Sequence, residues 1–143
     1  MESGKLIMGI CNPLLDISAE CSTEFIEKYE LKHGHAILAE EKHKPLFDEL
    51  WATPGDELIA GGSGMNTMRC ANFMLQKAKP NSCIYFGSIC DDERGKKLKE
   101  CLDSEGMESS FSIAEDSYTG ACGVVINNKE RSLIAVLGAS LKY

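Results

Sequence analysis

The chain alternates short apolar runs with segments of helical spacing. KLIMGIC, Lys5–Cys11, is nearly all apolar and stops at Asn12-Pro13, which predicts a buried strand followed by a turn. DISAEC, from Asp16, alternates apolar with polar as a half-exposed strand does. TEFIEKY, from Thr23, places Phe25, Ile26 and Tyr29 at helical spacing behind a cap and an early Glu, and HAILAE reads as another short strand. In EEKHKPLFDELW, Leu46, Phe47, Leu50 and Trp51 share one helical face, and Thr53-Pro54-Gly55-Asp56 closes that helix.

Beyond the glycines of AGGSG, Met65, Met68, Ala71, Phe73, Met74 and Leu75 predict a helix ending near Lys79-Pro80. CIYFGSI is a buried strand, DDERGKKLKECLDSEGM a polar helix with an acidic start and Gly106 past its end, and SSFSIAE a further strand. GACGVVIN and RSLIAVLGA flank Asn127-Asn128-Lys129-Glu130, a hairpin with a polar turn. Strands alternating with helices give an α/β class with parallel pairs. The strands near Ile17–Cys21 and Ala36–Leu38, with the last hairpin, lack crossover helices and suit a small separate sheet.

At 143 residues the chain fits one domain able to bury roughly 68–70% of its unfolded surface. The formal charge of −7 argues against a nucleic-acid partner, since phosphate neutralisation needs clustered Lys and Arg. The Arg94–Lys99 run is broken by Gly95 and Leu98 and reads as a solvated helix face. No apolar run approaches the roughly 20 residues a membrane helix needs, and MESGKL lacks a signal-peptide pattern, so the expectation is a soluble protein of the cytoplasm or nucleus. Seven cysteines without a C-x-x-C pair are expected to be reduced packing residues rather than a disulfide or zinc framework.

Two stretches carry candidate chemistry. In LIAGGSGMNTMRCANFML, three motifs fail on one residue each: a P-loop lacks its lysine, the dinucleotide fingerprint would need glycine at Thr67, and the nucleophile elbow would need it at Met65. What remains is a Gly61-Gly62 pair leading into a helix whose first turn carries Ser63 and Asn66. Glycine lets a flat ligand lie against backbone, free N–H groups sit at the helix start, and Asn66 can both donate and accept toward a sugar hydroxyl. The alternative is a tight turn with Ser63 as N-cap. In GICNPLLDIS, Asp16 follows a strand and a Pro turn, where open α/β sheets place ligands; its carboxylate can accept from two adjacent hydroxyls. A turn or cap role for Asp16 is the competing reading. Asp91 and Asp92 are expected to start the following helix.

CNPLLDIS followed by AGGSGMNTMRCA resembles the ribokinase-like (PfkB) carbohydrate kinase family, and ILAEEKHKPLFDEL, TGACGVVI and RSLIAVLGA narrow the resemblance to its adenosine-phosphorylating branch. The resemblance implies a Rossmann-like α/β body, residues 1–16 and 39–113, and a small β lid, residues 17–38 and 114–140, with the sheet incomplete on its C-terminal side. It implies adenosine as acceptor, ATP as phosphate donor, Mg²⁺, and a monomer. By the same resemblance Asn12, Asp16, Gly62, Ser63 and Asn66 contact the ribose. Leu14, Leu38, Cys122, Leu133, Ala135 and Leu137 line an apolar slot for the purine, and Arg131 reaches the transferred phosphate. The family's NLAAAN stretch reads VLGASL here, and Ala36 stands where a glutamine is common. The glycine-rich D-T-x-G-A-G-D segment that holds the general base and ATP pocket does not occur in this sequence. The chain is therefore expected to be the N-terminal part of such a kinase, inactive alone. A sibling sugar kinase and a non-catalytic nucleoside-binding fragment are the alternatives.

Overall fold

A computed structural model describes residues 7–53, 55 and 57–143. The expectations for MESGKL and for Pro54 and Asp56 lie outside the described residues. The elements are β1 (Ile7–Ile10), β2 (Leu14–Glu20), α1 (Thr23–Lys28), β3 (Ala36–Leu38), α2 (Lys44–Trp51), β4 (Glu57–Gly61), α3 (Ser63–Leu75), β5 (Cys83–Ile89), α4 (Glu93–Ser104), β6 (Glu108–Ile113), β7 (Ala121–Asn127) and β8 (Glu130–Val136). Short 3-10 turns cover Glu41–His43 and Gly138–Lys142. The described residues divide into two units: those of 7–15, 60–120 and 137–143, and those of 16–53, 55, 57–59 and 121–136. The described residues of 39–59 fall in the second unit, with β3, β7 and β8.

In the first unit, β1, β5 and β6 form an all-parallel sheet in the order β1-β5-β6. α3 packs on β1 and β5, burying Met65 and Met68, and α4 packs on β6, burying Leu98 and Leu102. Each such side chain contributes about 1.5–3 kcal/mol when fully buried. Asp92 caps α4, accepting from Gly95 N at 2.8 Å with one oxygen and from Thr119 N at 2.8 Å with the other. The expectation that this carboxylate starts the helix holds.

Three expectations need correction here. β1 is an edge strand, not a buried one: Met8 is 64% and Ile10 59% exposed, because α3 covers the face that carries Gly9. α3 ends at Leu75, with the turns after it bonded back to Leu75 O, and its Phe73 and Met74 are exposed, since they fall off the Met65, Met68, Asn72 stripe. The N-cap of α3 is Gly62; Ser63 is its first helical residue.

In the second unit the strand order is β3-β8-β7-β2-β4. β7 and β8 are antiparallel, and β3 runs parallel to β8. Asn128 and Lys129 both have positive φ, 50° and 67°, the geometry of a two-residue type I′ hairpin turn. α2 lies against β7, with Leu46, Phe47 and Leu50 buried over Gly123, and Trp51 only partly covered. His43, buried just before α2, accepts from Glu40 N through Nδ1 (2.9 Å) and faces Tyr29 O through Nε2 (3.2 Å). Glu49 of α2 accepts from Tyr29 Oη at 2.8 Å and from Lys28 Nζ at 2.6 Å, tying α1 to α2.

Candidate functional site

In the first unit the loop after β1 and the start of α3 border an open cavity of about 420 Å³ lined by Cys11, Asn12, Leu14, Gly62, Ser63, Gly64 and Leu137. The glycines are required by geometry. Gly62 has φ 94° and ψ 143°, a conformation that L side chains rarely adopt, and a Cβ there would lie 2.8 Å from Asn12 O. A Cβ at Gly64 would collide with the Cys11 side chain. Gly87 of β5 makes room for the same loop, since a Cβ there would lie 2.8 Å from Pro13 Cδ. The result is a bare backbone shelf at the first turn of a 13-residue helix, whose early N–H groups have no intrahelical acceptor.

Of the residues expected at the sugar, Asn12, Gly62 and Ser63 line this cavity, as do Leu14 and Leu137 from the apolar set. Asn66 does not. Its N–H closes the first turn on Gly62 O at 2.8 Å, and its side chain lies in a neighbouring cavity with Arg69, accepting from Arg69 Nη1 at 3.3 Å. Arg69 also donates Nε to Glu105 Oε2 at 2.8 Å and Nη1 to Ala60 O at 2.6 Å, while its Nη2 pairs with Glu105 Oε1. The helical spacing that suggested Asn66 could not separate a ligand contact from this link.

In the second unit, strand alternation sorts the remaining candidates onto one sheet face. The register sets Cys122 opposite Ala135, Val124 opposite Leu133 and Ile126 opposite Arg131, and sets Leu38 beside Ala135. Leu38, Ala135 and Cys122 thus form a row across three strands. Ile134 and Gly123 face the other way, toward α2. On β2, Leu15, Ile17 and Ala19 are buried while Asp16 and Ser18 are partly exposed, so Asp16 belongs to the face opposite Ile17. Leu15 N bonds Gly120 O and Cys21 N bonds Ile126 O, a constant offset that brings Asp16 level with Cys122. Burial pushes the Cys122 thiol up to about 12, and the Asp16 carboxylate adds to the shift. Arg131 is exposed near the hairpin turn.

Cys11 and Gly64 are site residues that sequence reasoning passed over. The signal was present: Cys11 adjoins Asn12, and Gly64 is the third glycine of the shelf. Three of the seven cysteines, Cys83, Cys90 and Cys122, are buried as expected of packing residues, whereas Cys11 and Cys70 are exposed. Among the described residues no group of three or more His, Cys, Asp and Glu could hold a metal ion, and no helix is long and apolar enough to cross a membrane.

Residues 23–143 match the family model described as pfkB family carbohydrate kinase. This chain belongs to that family. Among its relatives is adenosine kinase 2 of Arabidopsis thaliana, 42% identical over 138 residues, which cover 96% of this chain and 39% of the relative. The solved structure of apo adenosine kinase from Trypanosoma brucei brucei is 44% identical with a TM-score of 0.88, covering 93% of this chain and 40% of that one. Adenosine kinase from Schistosoma mansoni, in complex with adenosine, is 34% identical with a TM-score of 0.81, over 98% and 38% of the two chains. The chain therefore spans about two fifths of the length of these proteins, and the ribokinase-like α/β fold is that of its family.

Proposed function

We propose that this pfkB-family chain is the acceptor-binding portion of an adenosine kinase, which transfers the γ-phosphate of ATP to the 5′-hydroxyl of adenosine to give AMP. The observation that carries the reading is the glycine shelf with Asn12 at its rim, in a chain 34–44% identical to adenosine kinases along nearly its full length. We assign the shelf and Asn12 to the ribose, and Asp16 to its 2′ and 3′ hydroxyls. Each hydrogen bond to that charged carboxylate is worth roughly 1.5–3 kcal/mol. The apolar residues Leu38, Cys122, Leu133 and Ala135 suit a purine face, which a sugar kinase has no use for. Arg131, a planar cation, is assigned to the phosphate, whose negative charge it would offset.

ATP and Mg²⁺ enter through the family. No cluster of three or more His, Cys, Asp and Glu among the described residues could hold a metal ion, and no step is assigned to one in this chain. Nor does it carry the D-T-x-G-A-G-D segment, so the proton on the 5′-hydroxyl has no identified acceptor here. The 143-residue chain alone is expected to bind adenosine without turning it over, the reading favoured by its covering only about two fifths of its relatives. A monomer of the cytoplasm or nucleus is part of the same proposal.

Calorimetric titration tests the proposal. Adenosine is expected to bind saturably, ribose far more weakly, and Asp16→Ala to abolish adenosine binding while the chain stays folded. Equal binding of ribose and adenosine, or an Asp16→Ala chain that binds adenosine normally, would refute it.

A further inference from the structure

A Gly61-Gly62 pair does not hold its own shape. Glycine populates positive and negative φ about equally and has no side chain to anchor it, so a shelf built on such a pair keeps its geometry only if a group outside it does the holding. Arg69, in the second turn of α3, is placed for that task. Its Nη1 donates to Ala60 O at 2.6 Å and to Asn66 Oδ1 at 3.3 Å, and these two residues bracket Gly61, Gly62 and Gly64. The rest of the guanidinium is committed to Glu105, the C-cap of α4: Nε donates to Oε2 at 2.8 Å and Nη2 pairs with Oε1. Glu105 is fixed in turn, because its backbone carbonyl accepts from Asn72 Nδ2 at 3.1 Å and from Gln76 Nε2 at 2.7 Å. One side of a planar fork is thus anchored while the other clamps both ends of the glycine stretch, which the point charge of a lysine could not do. An ion pair that served only to join two helices would need the bonds to Glu105 alone.

We propose that Arg69 is a positioning residue for the acceptor shelf: through Ala60 O and Asn66 Oδ1 it holds Gly62 in the conformation that offers bare backbone to a sugar, and Glu105 holds Arg69. The inference rests on the assignment of the shelf to adenosine. Arg69 lines the neighbouring cavity with Asn66 and Glu105, not the cavity of the shelf, so it acts without touching the ligand. Its loss weakens binding by freeing the glycines, which must then be ordered each time a ligand arrives.

The test pairs calorimetric titration of adenosine with amide hydrogen exchange followed by NMR, on the native chain, Arg69→Ala, the milder Glu105→Gln, and Leu98→Val. Leu98 is fully buried in α4 away from the shelf, so Leu98→Val lowers the melting temperature without touching the clamp and controls for stability alone. All are measured at a temperature where circular dichroism shows them folded. Adenosine is expected to bind roughly tenfold more weakly to Arg69→Ala, the worth of one charge-assisted hydrogen bond, somewhat more weakly to Glu105→Gln, and normally to Leu98→Val. The Asn66 N–H, bonded to Gly62 O at 2.8 Å, reports the shelf directly, and the Ala114 N–H, bonded to Ile89 O at 2.8 Å, is the reference within the same unit. In Arg69→Ala and in Glu105→Gln, exchange at Asn66 should quicken several-fold more than at Ala114. Native affinity in Arg69→Ala, an equal loss of affinity in Leu98→Val, or exchange that quickens equally at the two amides overturns the proposal. If the native chain binds no adenosine, the acceptor reading falls, and selective exchange at Asn66 still decides whether Arg69 holds the shelf.

Discussion

Gly62 and Gly64 are both bare for want of space, but the obstacle differs, and a mutant cycle separates the two. At Gly62 a Cβ meets Asn12 O at 2.8 Å, a backbone atom that cannot rotate away, and φ is 94°. Holding a non-glycine residue in such a conformation costs about 1–3 kcal/mol. At about 2–4 °C of melting temperature per kcal/mol for a chain near this size, Gly62→Ala should melt roughly 2–12 °C lower. Gly64 lies inside α3, where alanine would be favoured by about 0.8–1 kcal/mol, against an overpacking cost of about 1–3 kcal/mol from the Cys11 side chain. The net effect of Gly64→Ala is a loss of roughly 0–2 kcal/mol. In a Cys11→Gly background the obstacle is gone, and the same change should stabilise by up to about 1 kcal/mol. Urea denaturation of the native chain, both single variants and the double variant is expected to give a coupling of about 1–3 kcal/mol for the Cys11–Gly64 pair, and none for Cys11–Gly62. A coupling below about 0.5 kcal/mol at Gly64 would refute the account of a side chain seated where a Cβ would go.

Gly123→Ala should destabilise by about 1–3 kcal/mol in urea, because a Cβ there would come within 2.8 Å of Leu46 Cδ2 and 3.0 Å of Leu50 Cδ1, both fully buried; a neutral result would mean that α2 shifts freely on β7. Arg69→Ala removes the paired bonds to Glu105 and the bond to Ala60 O and should cost about 1.5–3 kcal/mol, with Arg69→Lys recovering little because a point charge cannot make the fork; a lysine variant that melts with the native chain contradicts this. Cys122 keeps its proton in the folded chain up to about 12, while the unfolded thiol ionises near 9.0, so its contribution is complete below pH 9 and is lost as pH rises from 9 toward 12. Cys122→Ala should flatten the stability profile over that window by up to about 1.4 kcal/mol per pH unit, and parallel profiles would show that the thiol is not the source.

The sequence by itself determined the elements. Period-2 alternation in β2, a 3.6-residue repeat in α1 and α2, and a polar dipeptide between apolar runs at Asn128-Lys129 each specify local backbone through neighbours only, so all were legible. Tertiary structure decided what those elements face. β1 has the composition of a buried strand yet lies at a sheet edge, and α3 has apolar residues on two faces but packs only one. The same limit applies at the site. The need for glycine at 62 follows from Asn12 O, fifty positions earlier in the chain, and the side chain of Asn66 accepts from Arg69, itself held by Glu105 at the C-terminal end of α4. Local propensity acts over one or two turns of chain, whereas steric exclusion and ion pairing act through space.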